Sequence, residues 1–413
     1  VAGDITVRIG FFTDSYLPAL HGVEVSIEAF RKSLQKAGHE VFVYAPAVPH
    51  YRDTNRRVFR LKSVRVIEKP EMRLAFPFVE HGHLRDLLRV KLDIAHAHTP
   101  FTMGLLAKHV SVRQRIPLVY THHTHYPEYA KAYLREPLVF PYLAQALSAW
   151  FSNTSDAVLA PSPKIKRLLR TYGVTKPIHV LPTGIKPTQF RKTRTSQDRA
   201  RALRRRLDID DSAKVLLFVG RMGREKNVEF LIRAFSELRA QHADVAFILV
   251  GDGPILPQLK SLAKELRLAD IVFAGAIPHN EIAAWYQMSD LFLFASLTDT
   301  QGIVILEALA SSLGVIALRD AAFTDIVING KNGLLTAPNA SPRVFAARVD
   351  MALSDPALRR VFARNARETA RRFAEHEQAK KLIRIYERLA VLPKFSRQLA
   401  KNSHMSGLRR NMS

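Results

Sequence analysis

Lys214-Val-Leu-Leu-Phe-Val-Gly-Arg-Met-Gly-Arg-Glu-Lys-Asn227 reads as a buried strand, Lys214–Gly220, that turns through a second glycine into a helix over Asn227–Gln241. A strand over Val245–Gly251 and a helix over Ile255–Leu266 follow, and Ile271–Phe273, Leu291–Ala295 and Gly314–Ala317 are further apolar runs of strand length with helical stretches between them. Short continuous apolar runs mark strands covered on both faces, and their alternation with helices predicts a parallel sheet.

The same alternation is already present upstream. Val7–Phe12 reads as a strand, Pro18 and Gly22 as a turn, Val25–Ala37 as a helix, and Glu40–Ala45, after Gly38, as a second strand. Ile94–Ala97, Leu118–Thr121, Ala157–Ala160 and His179–Leu181 complete this half. The turn Pro182-Thr-Gly184 and the polar, basic stretch Phe190–Arg206 separate the two halves. A chain of 413 residues is longer than one core usually supports. The fold class expected is therefore α/β, with two Rossmann-like doubly wound parallel-sheet domains at 1–185 and 186–375. Ligands of open parallel sheets bind at the carboxyl ends of the strands, so the site is expected in a cleft where two such edges face. The last helical stretch runs from Ser341 to about Leu392 and ends at Pro393.

Composition removes several classes. There is no cysteine, which excludes disulfides, zinc ribbons and thiol nucleophiles and fits a reducing compartment. Val1–Phe12 has neither the basic segment nor the long apolar run of a secretion signal, and Ile303–Leu318 is interrupted by Glu307. A soluble or peripheral protein is expected. The net charge of +25 is carried by both halves, so it is a property of the surface and no mere basic tail. Such a surface attracts polyanions.

Two turns carry chemistry. In Gly220–Asn227, Gly220 and Gly223 permit a tight turn at a strand end, where helix-start amides favour anions; Arg221 and Lys226 place full positive charge where a diphosphate could lie. In Thr298-Asp-Thr-Gln-Gly-Ile303, Asp299 sits in a loop, and Glu307 lies about one turn into an otherwise apolar helix. A buried carboxylate there requires a partner, either a nearby Arg or Lys or the hydroxyls of a ligand. His96-x-His98 and Thr121-His-His-Thr124 could be strand-end histidines or metal ligands; without cysteine or a Glu-rich helix, no metal site is expected. Asp208-x-Asp210 reads as a solvated loop.

The order Gly-Arg-x-x-x-Glu-Lys-Asn, then Val250-Gly-Asp-Gly-Pro254, then Asp299 and the helix carboxylate Glu307, resembles family four of the retaining glycosyltransferases. The resemblance covers Ile9 to about Leu389 and implies the GT-B fold. It further implies that Arg221 and Lys226 hold a donor diphosphate, that Glu307 binds the donor ribose, and that Asp299 with the backbone of Gln301, Gly302 and Ile303 holds the transferred sugar. Gly22 and Val23 of the first glycine-containing loop, Gly220, Gly251, Ile277 and Thr300 complete the implied donor site, and His123 matches an active-site histidine. With Arg221 and Lys226 beside the leaving diphosphate, no cofactor or metal is required. The family usually carries Glu where this chain has Asp299, one methylene shorter. By the same resemblance, 376–392 is a helix packing back on the first domain and 393–413 a basic tail.

The acceptor is read from the first half. Tyr51–Glu80 holds Arg52, Arg56, Arg57, Arg60, Lys62, Arg65, Lys69 and Arg73 and runs into Leu74-Ala-Phe-Pro-Phe78, a pattern suited to an anionic membrane surface. Pro137–Phe151 is a second candidate for lipid contact, or else a core helix. Pro100–Leu106, Tyr120–Tyr133 and Thr300-Gln-Gly302 are similar to bacterial diacylglycerol glucosyltransferases. The resemblance thus implies hexose transfer, with glucose from UDP-glucose, to 1,2-diacylglycerol, by an enzyme peripheral on the cytoplasmic face of the cell membrane. Phosphatidylinositol mannosyl transfer and soluble acceptors are the alternatives within the family. A nucleic-acid-binding protein would explain the charge alone, but no nucleic-acid module is present, so nucleic acid is not an expected partner.

Overall fold

The computed structural model describes residues 6–18, 22–66, 69–77, 89–127, 139–242 and 244–390. These fall into two compact units, one containing the chain up to Gly184 together with the segment from Glu375, the other Ile185–Ala374.

The first unit is built on a seven-stranded sheet. Its strands are β1 (Arg8–Phe12), β2 (Glu40–Pro46), β3 (Val58–Leu61), β6 (Ile94–Ala97), β7 (Leu118–Thr121), β8 (Ala157–Ala160) and β9 (Ile178–Val180), in the order β3-β2-β1-β6-β7-β8-β9. All neighbours are parallel, and Phe11 aligns with Val43 on one side and His96 on the other. Apolar residues on both faces explain this: Phe12, Tyr44, Tyr120 and Phe151 fill one core, while Phe11, Ile27, Phe30 and Leu382 fill the other. Leu382 and Tyr386 belong to the helix 375–390, which therefore packs on this unit.

The segment read as a membrane-facing basic stretch is partly structural. Besides β3 it forms an antiparallel pair, β4 (Ser63–Val66) with β5 (Lys69–Ala75). Arg60 lies 2.8 Å from Asp53 and donates to the carbonyls of Pro46 and Leu17. Arg57 is 2.6 Å from Glu40, and Arg73 donates to Ser63. Arg52, Arg56, Lys62 and Arg65 are exposed. Of Leu74–Phe78, Phe76 is exposed, Ala75 and Pro77 are buried, and Phe78 lies outside the described residues.

The second unit carries six parallel strands: β10 (Lys214–Val219), β11 (Val245–Val250), β12 (Ile271–Gly275), β13 (Leu291–Phe294), β14 (Gly314–Leu318) and β15 (Gly333–Thr336). Their order, β12-β11-β10-β13-β14-β15, reverses direction between β10 and β13. β15 is four buried residues whose Gly333 lies against Val315, where an added Cβ would meet the Val315 carbonyl oxygen at 2.1 Å.

Two helical expectations are corrected. The basic stretch separating the halves contains a helix, Arg194–Arg206, started by a reciprocal Thr193–Ser196 capping box and burying only Ala200 and Leu203. The single stretch expected from Ser341 onward is three helices, Pro342–Ser354, Pro356–Arg372 and 375–390. Asp355 ends the first and caps the second through the amides of Ala357 and Leu358, since Pro356 cannot continue a helix but suits its first turn.

Candidate functional site

All strands of the second unit run parallel, so the loops after β10, β11, β12 and β13 emerge at one edge, on both sides of the reversal. That point is where open α/β sheets bind ligands. The loop after β11 is pressed against the loop after β10. Met222 donates to the carbonyl of Asp252, and Ile255 donates back to the carbonyl of Met222. A Cβ at Gly251 would sit 1.9 Å from the Gly220 carbonyl oxygen, and one at Gly253 2.5 Å from that of Met222. The Val250–Pro254 motif is therefore a packing device that shapes the turn carrying the cations.

Within that turn, Arg224–Lys226 is a short 3₁₀ segment and Asn227 is left-handed (φ 55°), so the regular helix begins only at Val228. Lys226 Nζ donates to Asp299 Oδ1 at 2.6 Å, joining the loops that flank the reversal. Ser296 Oγ lies 2.8 Å from the same oxygen. Arg221 is 3.6 Å from Glu225 and one-third exposed. Gly302 is left-handed (φ 77°) at the start of the helix Ile303–Ala310, a conformation that favours glycine. Gln301 is buried, while Thr300, Ile303 and Ile277 are half-buried.

Glu307 is buried, as its place on the apolar helix requires. Its partners are protein groups, but neither Arg nor Lys: Tyr286 donates to Oε2 at 2.8 Å, and His279 Nε2 lies 3.0 Å from Oε1. Each oxygen keeps a second lone pair. His279 is half-exposed and, with Lys186, Thr188, Gln189 and Asn280, lines an opening of about 410 Å³. Tyr286 and His279 are site residues that sequence reading missed, because they lie 21 and 28 residues away from Glu307.

The first unit has its own reversal, between β1 and β6. Asp14, just after β1, accepts from Thr99 and Thr102 and from the amide of Met103. Burial raises its pKa, and the two hydroxyls and the amide oppose that rise. Gly22 and Val23 begin the helix Gly22–Lys36, with Glu24 buried beneath and accepting from Ser15. His21 lies outside the described residues, as do 128–138, which contain part of the stretch read as acceptor-binding.

His123 follows β7, and its Nε2 lies 3.0 Å from Nδ1 of His98. His98 in turn stacks on His96, whose two nitrogens meet Tyr386 (2.6 Å) and Thr121 (2.7 Å). Burial pushes His123 down to about 4 and His122 to about 3, and His96 and His98 are also lowered. All four are neutral at pH 7. His98 Nε2 and His122 Nε2 are buried with no hydrogen-bond partner among the described residues. Among the described residues no three His, Asp or Glu side chains are arranged to hold a metal ion.

Comparison with known proteins decides the family. The family described as Glycosyltransferase Family 4 matches residues 20–189, and that described as Glycosyl transferases group 1 matches 200–369. An alpha-monoglucosyldiacylglycerol synthase of Streptococcus pneumoniae is 33% identical over 334 residues, covering 80% of this chain and 75% of the relative. The chain belongs to glycosyltransferase family 4. The synthase of the same name from Acholeplasma laidlawii is 29% identical to this glycosyltransferase over 402 residues, 96% of the chain and 100% of the relative. A GDP-mannose-dependent alpha-mannosyltransferase of Mycobacterium tuberculosis is 30% identical over 80% of the chain and 83% of the relative. Among solved structures, Anabaena HepE in complex with UDP matches with a TM-score of 0.74 at 19% identity, over 92% of this chain and 100% of that one. This glycosyltransferase thus has the GT-B fold, with two Rossmann-like domains, each described above.

No described helix is long and apolar enough to cross a membrane. The helix Val139–Asn153 has no charged residue and leaves Phe140, Tyr142, Leu143 and Trp150 exposed. Leu105 and Val112 of the helix Thr102–Gln114 are exposed too, and Lys108 of that helix stands 5.1 Å over the Trp150 ring.

Proposed function

We propose that this glycosyltransferase moves glucose from UDP-glucose to 1,2-diacylglycerol, with retention of configuration, at an anionic membrane surface on the cytoplasmic side. The observation that carries the donor half of the proposal is the pair Arg221 and Lys226 on the glycine-walled turn at the strand-order reversal, with Asp299 across from it. As the bond to the sugar breaks, charge builds on the leaving diphosphate. A guanidinium, an ammonium with two donors left beyond its bond to Asp299, and the first amides of the helix Ile303–Ala310 are suited to stabilise it. Asp299 and the backbone of Thr300–Ile303 would hold the sugar, and Glu307 would accept from the ribose hydroxyls through its second lone pairs. Gly22, Val23, Gly220, Gly251 and Ile277 complete the proposed donor contacts. His123, being neutral, is proposed as a hydrogen-bonding group and not as an acid.

Glucose and diacylglycerol follow the two synthases, whose similarity extends over most of the chain. The exposed apolar face of the helix Val139–Asn153, with Arg52 and Arg56 on the same unit, supports the membrane surface. Arg57 and Arg60 are left out of that contact, because their guanidinium groups are taken up within the unit.

A donor-by-acceptor screen with labelled nucleotide sugars and lipid vesicles tests the reading. Glucosyl-diacylglycerol from UDP-glucose is the expected product. A mannosyl product formed only with phosphatidylinositol, or transfer only to a water-soluble acceptor, would overturn the choice of substrates. Exchange of Leu143 and Trp150 for Ser should release the enzyme from anionic vesicles while leaving hydrolysis of free donor intact. Undiminished vesicle binding would remove this helix from the membrane contact.

A further inference from the structure

The edge of the first unit farthest from β3 holds a second concentration of positive charge. Edge strand β9 and the helices Pro163–Thr171 and 375–390 enclose an opening of about 360 Å³. Lys166 reaches it from the first helix, His179 from the strand, and Lys381, Arg384 and Arg388 from the second helix. The last three stand at i, i+3 and i+7, one face of a helix. The wall behind them is apolar, with Ile178 and Leu181 buried and Val180 and Ile385 half-buried.

Most clustered lysines and arginines simply face water, and three features set this group apart. The cations converge from two separate helices on one concavity, which His179 of the edge strand also lines. No carboxylate among the described residues lines that concavity. Among the described residues Lys166, Arg384 and Arg388 form no ion pair or side-chain hydrogen bond, and Lys381 meets only the amide of Gln378. Lys381 has the Glu377 carboxylate within electrostatic reach, but Lys166, Arg384 and Arg388 have no carboxylate partner among the described residues. Like charges so gathered repel one another, and a bound anion relieves that repulsion. His179 reports the same field: burial first, then Lys166 and Arg388, hold its pKa below the usual histidine value.

We propose that this opening is a phosphate-binding site, separate from the donor turn of the second unit, which takes either a phospholipid headgroup or a free phosphate. The two guanidinium groups supply paired donors matched to phosphate oxygens. The apolar wall suits the carbon atoms next to a phosphodiester.

The test uses the full chain, inorganic phosphate as the first probe, and vesicles of phosphatidylcholine with or without phosphatidylglycerol as the second. An anion beside His179 favours its charged form, so phosphate should shift its NMR titration to higher pH. In the double variant Arg384→Gln, Arg388→Gln, phosphate affinity should fall at least about tenfold, as expected when hydrogen bonds to a charged group are lost. Hydrolysis of the free nucleotide sugar should be unchanged, which keeps this proposal distinguishable from the reading of the donor site. Loss of the phosphatidylglycerol-dependent part of vesicle binding in the variant identifies a headgroup. Weaker phosphate binding with unchanged vesicle binding identifies a free phosphate. A His179 titration that phosphate leaves unmoved, or moves equally in wild type and variant, overturns the proposal.

Discussion

In the first unit the loops beside the reversal of strand order carry Asp14 and His98, with His123 one strand further; in the second they carry Arg221, Lys226 and Asp299. The strand order is equivalent and the chemistry is opposite. Asp14 is wrapped by two threonine hydroxyls and an amide, and the histidines are buried and neutral. Arg221 and Lys226 are partly exposed charges. A shared backbone topology therefore determines where loops converge, but the depth of burial decides whether the groups there keep their charge.

The largest effect expected from this difference is on stability against acid. His122 and His123 have folded-state pKa values of about 3 and about 4, below the unfolded value near 6.5. Depressed values mean that the unfolded chain binds more protons in this window. Their contribution is therefore complete above about pH 6.5 and is lost as pH falls toward 4, on the order of 3 kcal/mol for fully buried His122. Hydrogen exchange on the intact chain, corrected for intrinsic rates, should show β6–β8 losing protection before β10–β13 between pH 7 and 4.5. Equal loss in both sheets would erase the contrast.

Next in size is the loss of charge at the second reversal. Lys226→Ala should lower turnover roughly 10- to 100-fold, the worth of a charge-assisted contact to the leaving diphosphate, and Arg221→Ala at least about tenfold. Initial rates with saturating donor check this; near-wild-type rates in both would remove the cations from the reaction. A smaller effect is expected at His98, whose Nδ1 meets His123 Nε2 and so sets its tautomer and ring orientation. His98→Ala should cost about tenfold in kcat with little change in the KM for donor, and His98→Asn, which places a polar amide near the position of Nδ1, should recover part of it. A fall confined to KM would show that His98 serves binding only. The smallest effect is expected from chelation: with cations at the diphosphate, activity should survive exhaustive EDTA treatment. A strict requirement for added magnesium or manganese would put a metal where the comparison puts Arg221 and Lys226.

How much was legible in the chain varied with how local the signal was. β1, β2, β6, β7 and β8 and all but one strand of the second unit are largely apolar runs, buried on both faces except in the half-buried edge strand β12, and they could be read directly. β3, β4 and β5 could not, because edge position and interleaved arginines hide a strand behind what looks like a charged surface stretch. The helix Arg194–Arg206 was hidden likewise by burying only two apolar residues. Pro356 was legible as a helix break, and was missed only because apolar spacing resumes after it.

The two halves, the cation-bearing turn after β10 and the buried carboxylate Glu307 were determined by sequence alone, because glycine placement, apolar periodicity and charge act over a few residues. What Glu307, His123 and Lys226 meet was decided only by the tertiary structure. Tyr286 and His279 reach Glu307 across 21 and 28 residues, His98 meets His123 across 25, and Asp299 meets Lys226 across 73. A parallel sheet brings its loops together at one edge in an order set by crossovers, so neighbours at the site are strangers in the chain.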